Sequence, residues 1–222
     1  MRDTGSLPIL MVQFNGMESQ WSLCDCDTSK AVMDLPANQT TLVAPATAPL
    51  FILLGVGVQN YTCSGTTFAS IGAVASLFDI SCLDGTPQFA TVQTKAFKIW
   101  ESTPVGVSPR AIGPLVGAPH LDGFHYFVTS PSGTGISPKW DFTSTGKFAG
   151  NATAFVIGAK VGDIPAPTNP ATNIDWLQLV RVEGDLASQI FRIDTVGGQP
   201  PTSCEAGSAP ISVKYTAKYY LY

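Results

Sequence analysis

The chain has 222 residues, of which 13% are charged and 45% are hydrophobic, and it contains 21 glycines and 17 prolines. Its formal net charge is −4, and no basic patch is present to neutralise phosphates, which argues against a nucleic-acid-binding protein. No apolar run reaches the roughly 18 residues of a membrane span, and the many turn-forming residues favour a fold of short β-strands.

The start of the chain is expected to be separate from the main fold. We predict that residues 1–25 form an arm that packs on, or pairs as a strand with, a single domain spanning residues 26–222. No internal repeat or long linker divides that domain.

The first predicted strand is "LFILLGVGVQNYTC", Leu50–Cys63. Asn60 is in phase with the apolar residues of this strand, although "NYT" is a glycosylation sequon. A core-facing asparagine cannot carry a glycan. The sequence therefore predicts either a β-bulge, for which Gly55 or Gly57 is suited, or an unoccupied Asn60.

A short helix is predicted over Thr66–Ile80, where Thr67 is a candidate N-cap. The residues that recur there at helical spacing are Ile71, Val74, Ala75 and Phe78. Two later segments read as strands, "FHYFVTS" from Phe124 and "ATAFVIGAKV" from Ala152.

The C-terminal part of the chain alternates apolar and polar residues with a period of two. Three strands follow from this pattern, in "IDWLQLVRVEG", "SQIFRIDTV" and "VKYTAKYYLY", and "EGDLAS" forms a hairpin turn between the first two. The predicted fold is mostly β, an antiparallel β-sandwich or jelly roll rather than a closed barrel, with at most one or two short helices.

Two aspartate motifs and one glycine pair suggest enzyme families that the rest of the sequence excludes. "DTG" at Asp3 has no apolar strand before it, and "DTVG" at Asp194 has a residue inserted before its glycine, so an aspartic protease is excluded. "GVG" at Gly55 lacks the third glycine of a dinucleotide fingerprint. We predict no cofactor, and we interpret "DTVGGQPP" as a strand end followed by a turn.

The two histidines lie in "PHLDGFHYF" and provide one candidate site. His120, Asp122 and His125 are candidate metal ligands, and either histidine is a candidate general base. The alternative is that His125 is a strand-end histidine hydrogen-bonded to backbone.

Aromatic residues beside aspartates provide a candidate carbohydrate site. Trp140–Asp141 and Asp175–Trp176 place an aromatic ring next to a carboxylate, and His125–Tyr126 adds two further polar rings. The alternative is that these rings fill the core.

Five cysteines and three sequons favour a secreted protein in an oxidising compartment. The sequons are at Asn38, Asn60 and Asn151, and the cysteines are Cys24, Cys26, Cys63, Cys82 and Cys204. We predict the bonds Cys63–Cys82 and Cys26–Cys204, with Cys24 unpaired, while a Cys24–Cys204 bond is nearly as well supported.

Several segments together resemble a known family. They are "LLGVGVQNYTC", "SLFDISC", "GFHYFV", "DWLQLVRVEG", "FRIDTVGGQPPTSC" and "VKYTAKYYLY". They are similar to secreted fungal and bacterial proteins that carry the domain of unknown function 3455, some of which bear the label malate dehydrogenase-like. The resemblance runs from about Cys26 to Tyr222 and implies export and a mostly β domain without an agreed activity. The dehydrogenase label is rejected, because the nucleotide fingerprint is absent.

The function predicted from these observations is that of an extracellular, non-enzymatic protein that binds carbohydrate or cell-wall components. Two alternatives are open: a structural, self-associating or host-interacting surface protein, and a metalloprotein or hydrolase that uses histidine and aspartate. The sequence predicts no oligomeric state.

Overall fold

The computed structural model describes residues 26–222, which form a closed barrel of eight antiparallel strands in chain order. Each strand pairs with the next along the chain, and the last pairs with the first. The strands are β1 Phe51–Ser64, β2 Thr67–Asp79, β3 Leu121–Thr129, β4 Ile136–Asp141, β5 Phe155–Ile164, β6 Trp176–Glu183, β7 Gln189–Gly197 and β8 Ile211–Leu221.

The predicted sandwich or jelly roll is therefore wrong. Sandwiches and barrels are built from the same alternating strands. A barrel differs in that the first and last strands of the sheet form hydrogen bonds with each other. Here β1 and β8 pair in continuous register, from Phe51 opposite Leu221 to Tyr61 opposite Ile211. This long pairing closes the sheet and leaves it without edge strands.

The helix predicted over residues 66–80 is also wrong, because this segment is strand β2. A two-residue turn at Gly65 and Thr66 folds the chain back onto β1, and Gly65 adopts the positive φ of +69° that such a turn requires. Both faces of the strand are apolar near its end, since Leu77 packs with the barrel interior and Phe78 with the outer cluster. When both faces of a strand are apolar, apolar residues also recur three and four positions apart, and this spacing was interpreted as that of a helix.

The described part of the chain has two short α-helices elsewhere, α1 Val92–Ser102 and α2 Ile112–Leu115. Helix α1 buries Val92, Ala96 and Trp100, which recur every four residues and lie against the outer face of the barrel. The indole Nε1 of Trp100 donates to the carbonyl of Gly57 at 2.7 Å, which fixes α1 on β1.

The strands divide the apolar residues into two clusters. One fills the barrel, and the other lies between the barrel wall, α1 and α2. In β1, Leu53 belongs to the inner cluster, whereas Ile52, Leu54 and Val56 belong to the outer one. The predicted alternation of β8 is confirmed, because Tyr215, Ala217, Tyr219 and Leu221 all belong to the inner cluster.

The predicted bulge at Gly55 or Gly57 is not present, and β1 runs in continuous register with β8 through both residues. Gly55 instead makes room for the ring of Tyr219, which a side chain at this position would meet. The register shift lies opposite Asn60, on β2, where Ile71 is the additional residue. Asn60 keeps its phase and is half-buried at the end of the outer face, where its Oδ1 accepts a hydrogen bond from Ser212.

The four cysteines that were predicted to be bonded are bonded, but in the other pairing. Cys26 is linked to Cys82 and Cys63 to Cys204. Because β2 is a strand, Cys63 and Cys82 lie near opposite ends of the β1–β2 hairpin and cannot meet. The predictions for residues 1–25, including the arm and the unpaired Cys24, lie outside the described residues. Among residues 26–222, no helix has the length and hydrophobicity that crossing a membrane requires.

Candidate functional site

A cavity of about 1070 Å³ lies beside helix α1, at the end of the barrel where β7 ends and β8 begins. We call it the α1 cavity. It is lined by α1, the loop 167–173, Trp176 of β6, the segment 194–201, which contains "DTVGGQPP", and residues 211–214 at the start of β8. "GGQPP" was predicted to be a turn after a strand. In the structure Gly197 ends β7, and Gly198 forms a β-bridge with Asn173, so this segment runs beside the loop 167–173.

A β-bulge in β7 shapes one wall of the α1 cavity. Between Ile193 and Val196 the register with β8 shifts, and Asp194 adopts a positive φ of +50°. Its carboxylate Oδ2 lies 2.9 Å from the Nζ of Lys218, which is almost fully buried and lies 4.1 Å from the centre of the Phe89 ring. Asp194 is therefore committed to this ion pair.

The two loops around the cavity are held together through Asn173. Its Oδ1 accepts the backbone N–H of Gly197 at 2.9 Å, and its Nδ2 donates to the carbonyl of Thr168 at 2.8 Å. The side chain of Gln199 donates to the carbonyl of Asn173. The cavity walls are thus fixed before any ligand arrives, which lowers the entropic cost of binding.

The lining combines apolar surface, amide groups and three charged residues, Glu101, Asp194 and Lys214. Phe97, Trp176 and three prolines supply the apolar part. Gln93 is 8% exposed, and its Oε1 has no hydrogen-bond partner. The side chain of Asn169 is exposed at the rim. Apolar walls with a few fixed amides are typical of sites that bind uncharged polar ligands.

Of the predicted binding residues, His125 and Trp140 lie inside the barrel rather than on a surface. Their rings stack with centroids 4.6 Å apart, and they are 2% and 1% exposed. The Nδ1–H of His125 donates to the carbonyl of Lys139 at 2.9 Å. Burial lowers the pKa of His125 to about 4, so the ring is neutral at physiological pH.

Tyr126 and Asp141 do lie together, on the outer face of β3 and β4. The Tyr126 hydroxyl donates to Asp141 Oδ2 at 2.5 Å, and the Nζ of Lys139 lies 3.0 Å from the same oxygen. Burial opposes ionisation of Asp141, but hydrogen bonds from Tyr126 and Thr143 outweigh it and hold the pKa at about 2. Both oxygens of this carboxylate therefore have hydrogen-bond or ion-pair partners within the protein.

Asp175 and Trp176 are neighbours in sequence but point to different environments. The ring of Trp176 belongs to the outer cluster and lines the α1 cavity. The carbonyl of Asp175 accepts two hydrogen bonds from Arg192, and burial together with the nearby Asp163 carboxylate raises the pKa of Asp175. Only Trp176 among the six predicted binding residues lines this cavity.

The three candidate metal ligands are not brought together. His120 and Asp122 line a second cavity, of about 460 Å³, whereas His125 is inside the barrel. Within the described part of the chain, no three His, Cys, Asp or Glu side chains converge as a metal site requires. Of the sequon asparagines, Asn38 and Asn151 are exposed and Asn60 is half-buried.

The main cavity residues that the sequence analysis missed are Gln93, Asn169, Asn173 and Gln199. Asparagine and glutamine side chains belong to no recognisable sequence motif here, and the two loops are distant from α1 in sequence. The available signal was indirect, since "GGQPP" was predicted to follow the end of a strand and this segment lines the cavity.

The chain was compared with protein-family models, curated proteins and solved structures. The model of a protein of unknown function (DUF3455) matches residues 44–222. No curated protein and no solved structure gave a significant match. The matched region contains all eight strands and every residue that lines the α1 cavity. The chain therefore belongs to the DUF3455 family of proteins of unknown function.

Proposed function

We propose that this protein is an extracellular, non-enzymatic protein that binds carbohydrate in the α1 cavity. The observation that carries the proposal is Gln93 Oε1, an acceptor without a partner on a buried residue that lines a cavity of about 1070 Å³. A buried acceptor is costly unless a donor reaches it, and a sugar hydroxyl is a suitable donor.

The remaining lining fits the same class of ligand. Phe97 and Trp176 offer ring surface for the C–H face of a sugar, while Asn169 and Gln199 offer amide groups for its hydroxyls. The volume accommodates several sugar units rather than one ion. Asp194 is paired with Lys218, Thr195 donates to the carbonyl of Ile174, and Lys214 donates to the carbonyls of Trp100 and Thr103, and this engagement favours binding over turnover.

An extracellular location is supported by the two disulfide bonds, since such bonds are rare in reducing compartments. The exposed sequons at Asn38 and Asn151 agree with this location.

The test is a glycan array and a polysaccharide pull-down, followed by titration of whichever glycan is retained. Gln93→Leu removes the unpartnered acceptor at similar volume, and we expect the dissociation constant to rise by about tenfold. Asn169→Gly keeps the positive φ of 47° at this position and removes the rim amide, with a similar expected loss.

The matched control is Tyr126→Phe, which removes one hydroxyl from the outer face of β3, away from the cavity. It is expected to bind as the wild type does. Retention of no glycan by the wild-type protein, or loss of binding in Tyr126→Phe but not in Gln93→Leu, would contradict the proposal.

A further inference from the structure

The cavity of about 460 Å³ lies at the opposite end of the barrel from the α1 cavity, where β1 begins and β2 ends. We call it the Asp122 cavity. Its walls are of two kinds. Leu50, Phe51 and Leu83 supply apolar surface, and Asp79 and Asp122 supply carboxylates.

The Asp122 side chain is the unusual feature of this cavity. The residue is only 6% exposed, yet its Oδ2 is buried without a hydrogen-bond partner. Buried carboxylate oxygens are normally met by a donor or a cation. Asp79 does not have this deficit, because its Oδ1 accepts the backbone N–H of Ser81 at 2.8 Å.

Among residues 26–222, the charged groups that face Asp122 come from three elements: Asp79 from β2, His120 from the loop before β3, and Lys147 from the turn Gly146–Phe148. Burial and the repulsion from Asp79 raise the pKa of Asp122 to about 6, although Lys147 and His120 act in the opposite direction. The carboxylate is therefore ionised at neutral pH but lacks a donor that satisfies it.

We propose that the Asp122 cavity binds a small organic ammonium compound, whose N–H group donates to Asp122 Oδ2 while its carbon chain contacts Phe51 and Leu83. The apolar walls and the volume fit an organic cation better than a bare metal ion, and no three metal-ligating side chains converge among the described residues. The cavity wall already holds one ammonium group against an aromatic face, since Lys147 Nζ lies 5.3 Å from the Phe51 ring centre.

The test is calorimetric titration with three probes: 1,4-diaminobutane, the uncharged 1,4-butanediol, and calcium chloride. We expect the diamine to bind at about pH 7.5 and the diol not to bind. Affinity for the diamine is expected to fall by about tenfold at about pH 5, because most of Asp122 is then protonated.

Asp122→Asn is expected to abolish diamine binding at both pH values. Its folding is checked by its melting temperature at neutral pH, which is expected to equal or exceed that of the wild type, because an uncharged amide replaces a buried charge. Asp185→Asn, at an exposed aspartate, is the control and is expected to bind as the wild type does.

Equal binding of the diol, an unaffected Asp122→Asn variant, or binding of calcium instead of the diamine would overturn the proposal. It is independent of carbohydrate binding, since the two cavities share no residue. Gln93→Leu is therefore expected to keep full diamine affinity, so failure of one proposal does not imply failure of the other.

Discussion

At the scale of single residues, His125 follows the alternative interpretation, a histidine hydrogen-bonded to backbone, and not the predicted metal ligand, base or surface binding residue. A histidine near Asp122 and His120 in sequence suggested a ligand or a base. Instead its ring stacks on Trp140 inside the barrel and donates to the Lys139 carbonyl. Asp122 lies at a register shift in β3, between Leu121 and Gly123, and lines the Asp122 cavity, whereas His125 lies further along the strand with its ring inside the barrel.

This burial predicts an acid-dependent loss of stability. The pKa of His125 is about 4 in the folded protein, whereas a histidine without such contacts, as in the unfolded chain, has a pKa of 6.5. Between these pH values the unfolded chain therefore binds more protons than the folded protein. The free energy of unfolding should therefore fall as pH decreases from about 6.5 to about 4, by roughly 2–3 kcal/mol from this residue alone.

Urea unfolding of the wild type and His125→Gln at both ends of that pH range provides the measurement. The variant is expected to lose less stability on acidification than the wild type, and exposed His120→Gln is the control. Asp122 acts with the opposite sign, since its raised pKa favours the folded state on acidification, and His125 is not among the groups that shift that pKa, so the comparison of His125→Gln with the wild type is unaffected. An identical pH dependence in His125→Gln and the wild type would exclude the buried, neutral histidine.

At the scale of elements, the bulge in β7 explains the "DTVG" motif. The additional residue turns Asp194 towards Lys218, and Thr195 then donates its hydroxyl to the carbonyl of Ile174 at 2.6 Å. The motif is therefore structural, and it positions the segment 197–201 that borders the α1 cavity.

Asp194→Asn tests this role, because asparagine tolerates the positive φ but removes the charge. Lys218 would be left buried without its counter-ion, and we expect a loss of roughly 3 kcal/mol in the free energy of unfolding. The exposed pair Arg181–Asp185, at 3.7 Å, supplies the control, and Asp185→Asn should cost less than about 1 kcal/mol. Equal effects of the two substitutions in denaturant unfolding would show that the bulge does not depend on the ion pair.

At the scale of the whole molecule, the two disulfide bonds fasten opposite ends of the barrel. Cys63–Cys204 joins the end of β1 to the segment before β8, next to the α1 cavity, and Cys26–Cys82 lines the Asp122 cavity. A further hydrogen bond from the backbone N–H of Cys204 to the carbonyl of Thr66 supports the first link.

We expect mass spectrometry of the unreduced, proteolysed protein to identify peptides that join Cys26 to Cys82 and Cys63 to Cys204. Replacing both Cys63 and Cys204 by serine should lower the free energy of unfolding by about 2–4 kcal/mol, because the unfolded chain loses a long-range constraint. The Cys26→Ser, Cys82→Ser double variant is the matched comparison, with a loss of similar size. A peptide that joins Cys63 to Cys82 would contradict the barrel register.

Much of the candidate site could not be predicted from the sequence. Trp176 was identified because an aromatic ring beside a carboxylate is a local signal. Gln93, Asn169 and Gln199 were not, since an amide becomes part of a site only when separate segments of chain meet around it. The predicted pairing of the cysteines was wrong for the same reason, because the pairing depends on which end of the barrel each cysteine occupies.

The sequence by itself determined the β-rich character of the protein, the faces of its C-terminal strands and its membership of the family, because these follow from local periodicity and from motifs in order. Only the tertiary structure decided that β8 closes on β1, which cysteines bond, and that amides from α1 and two loops surround one cavity. Closure and convergence depend on contacts between residues far apart in the chain, and local patterns of side chains carry no information about which distant partner is reached.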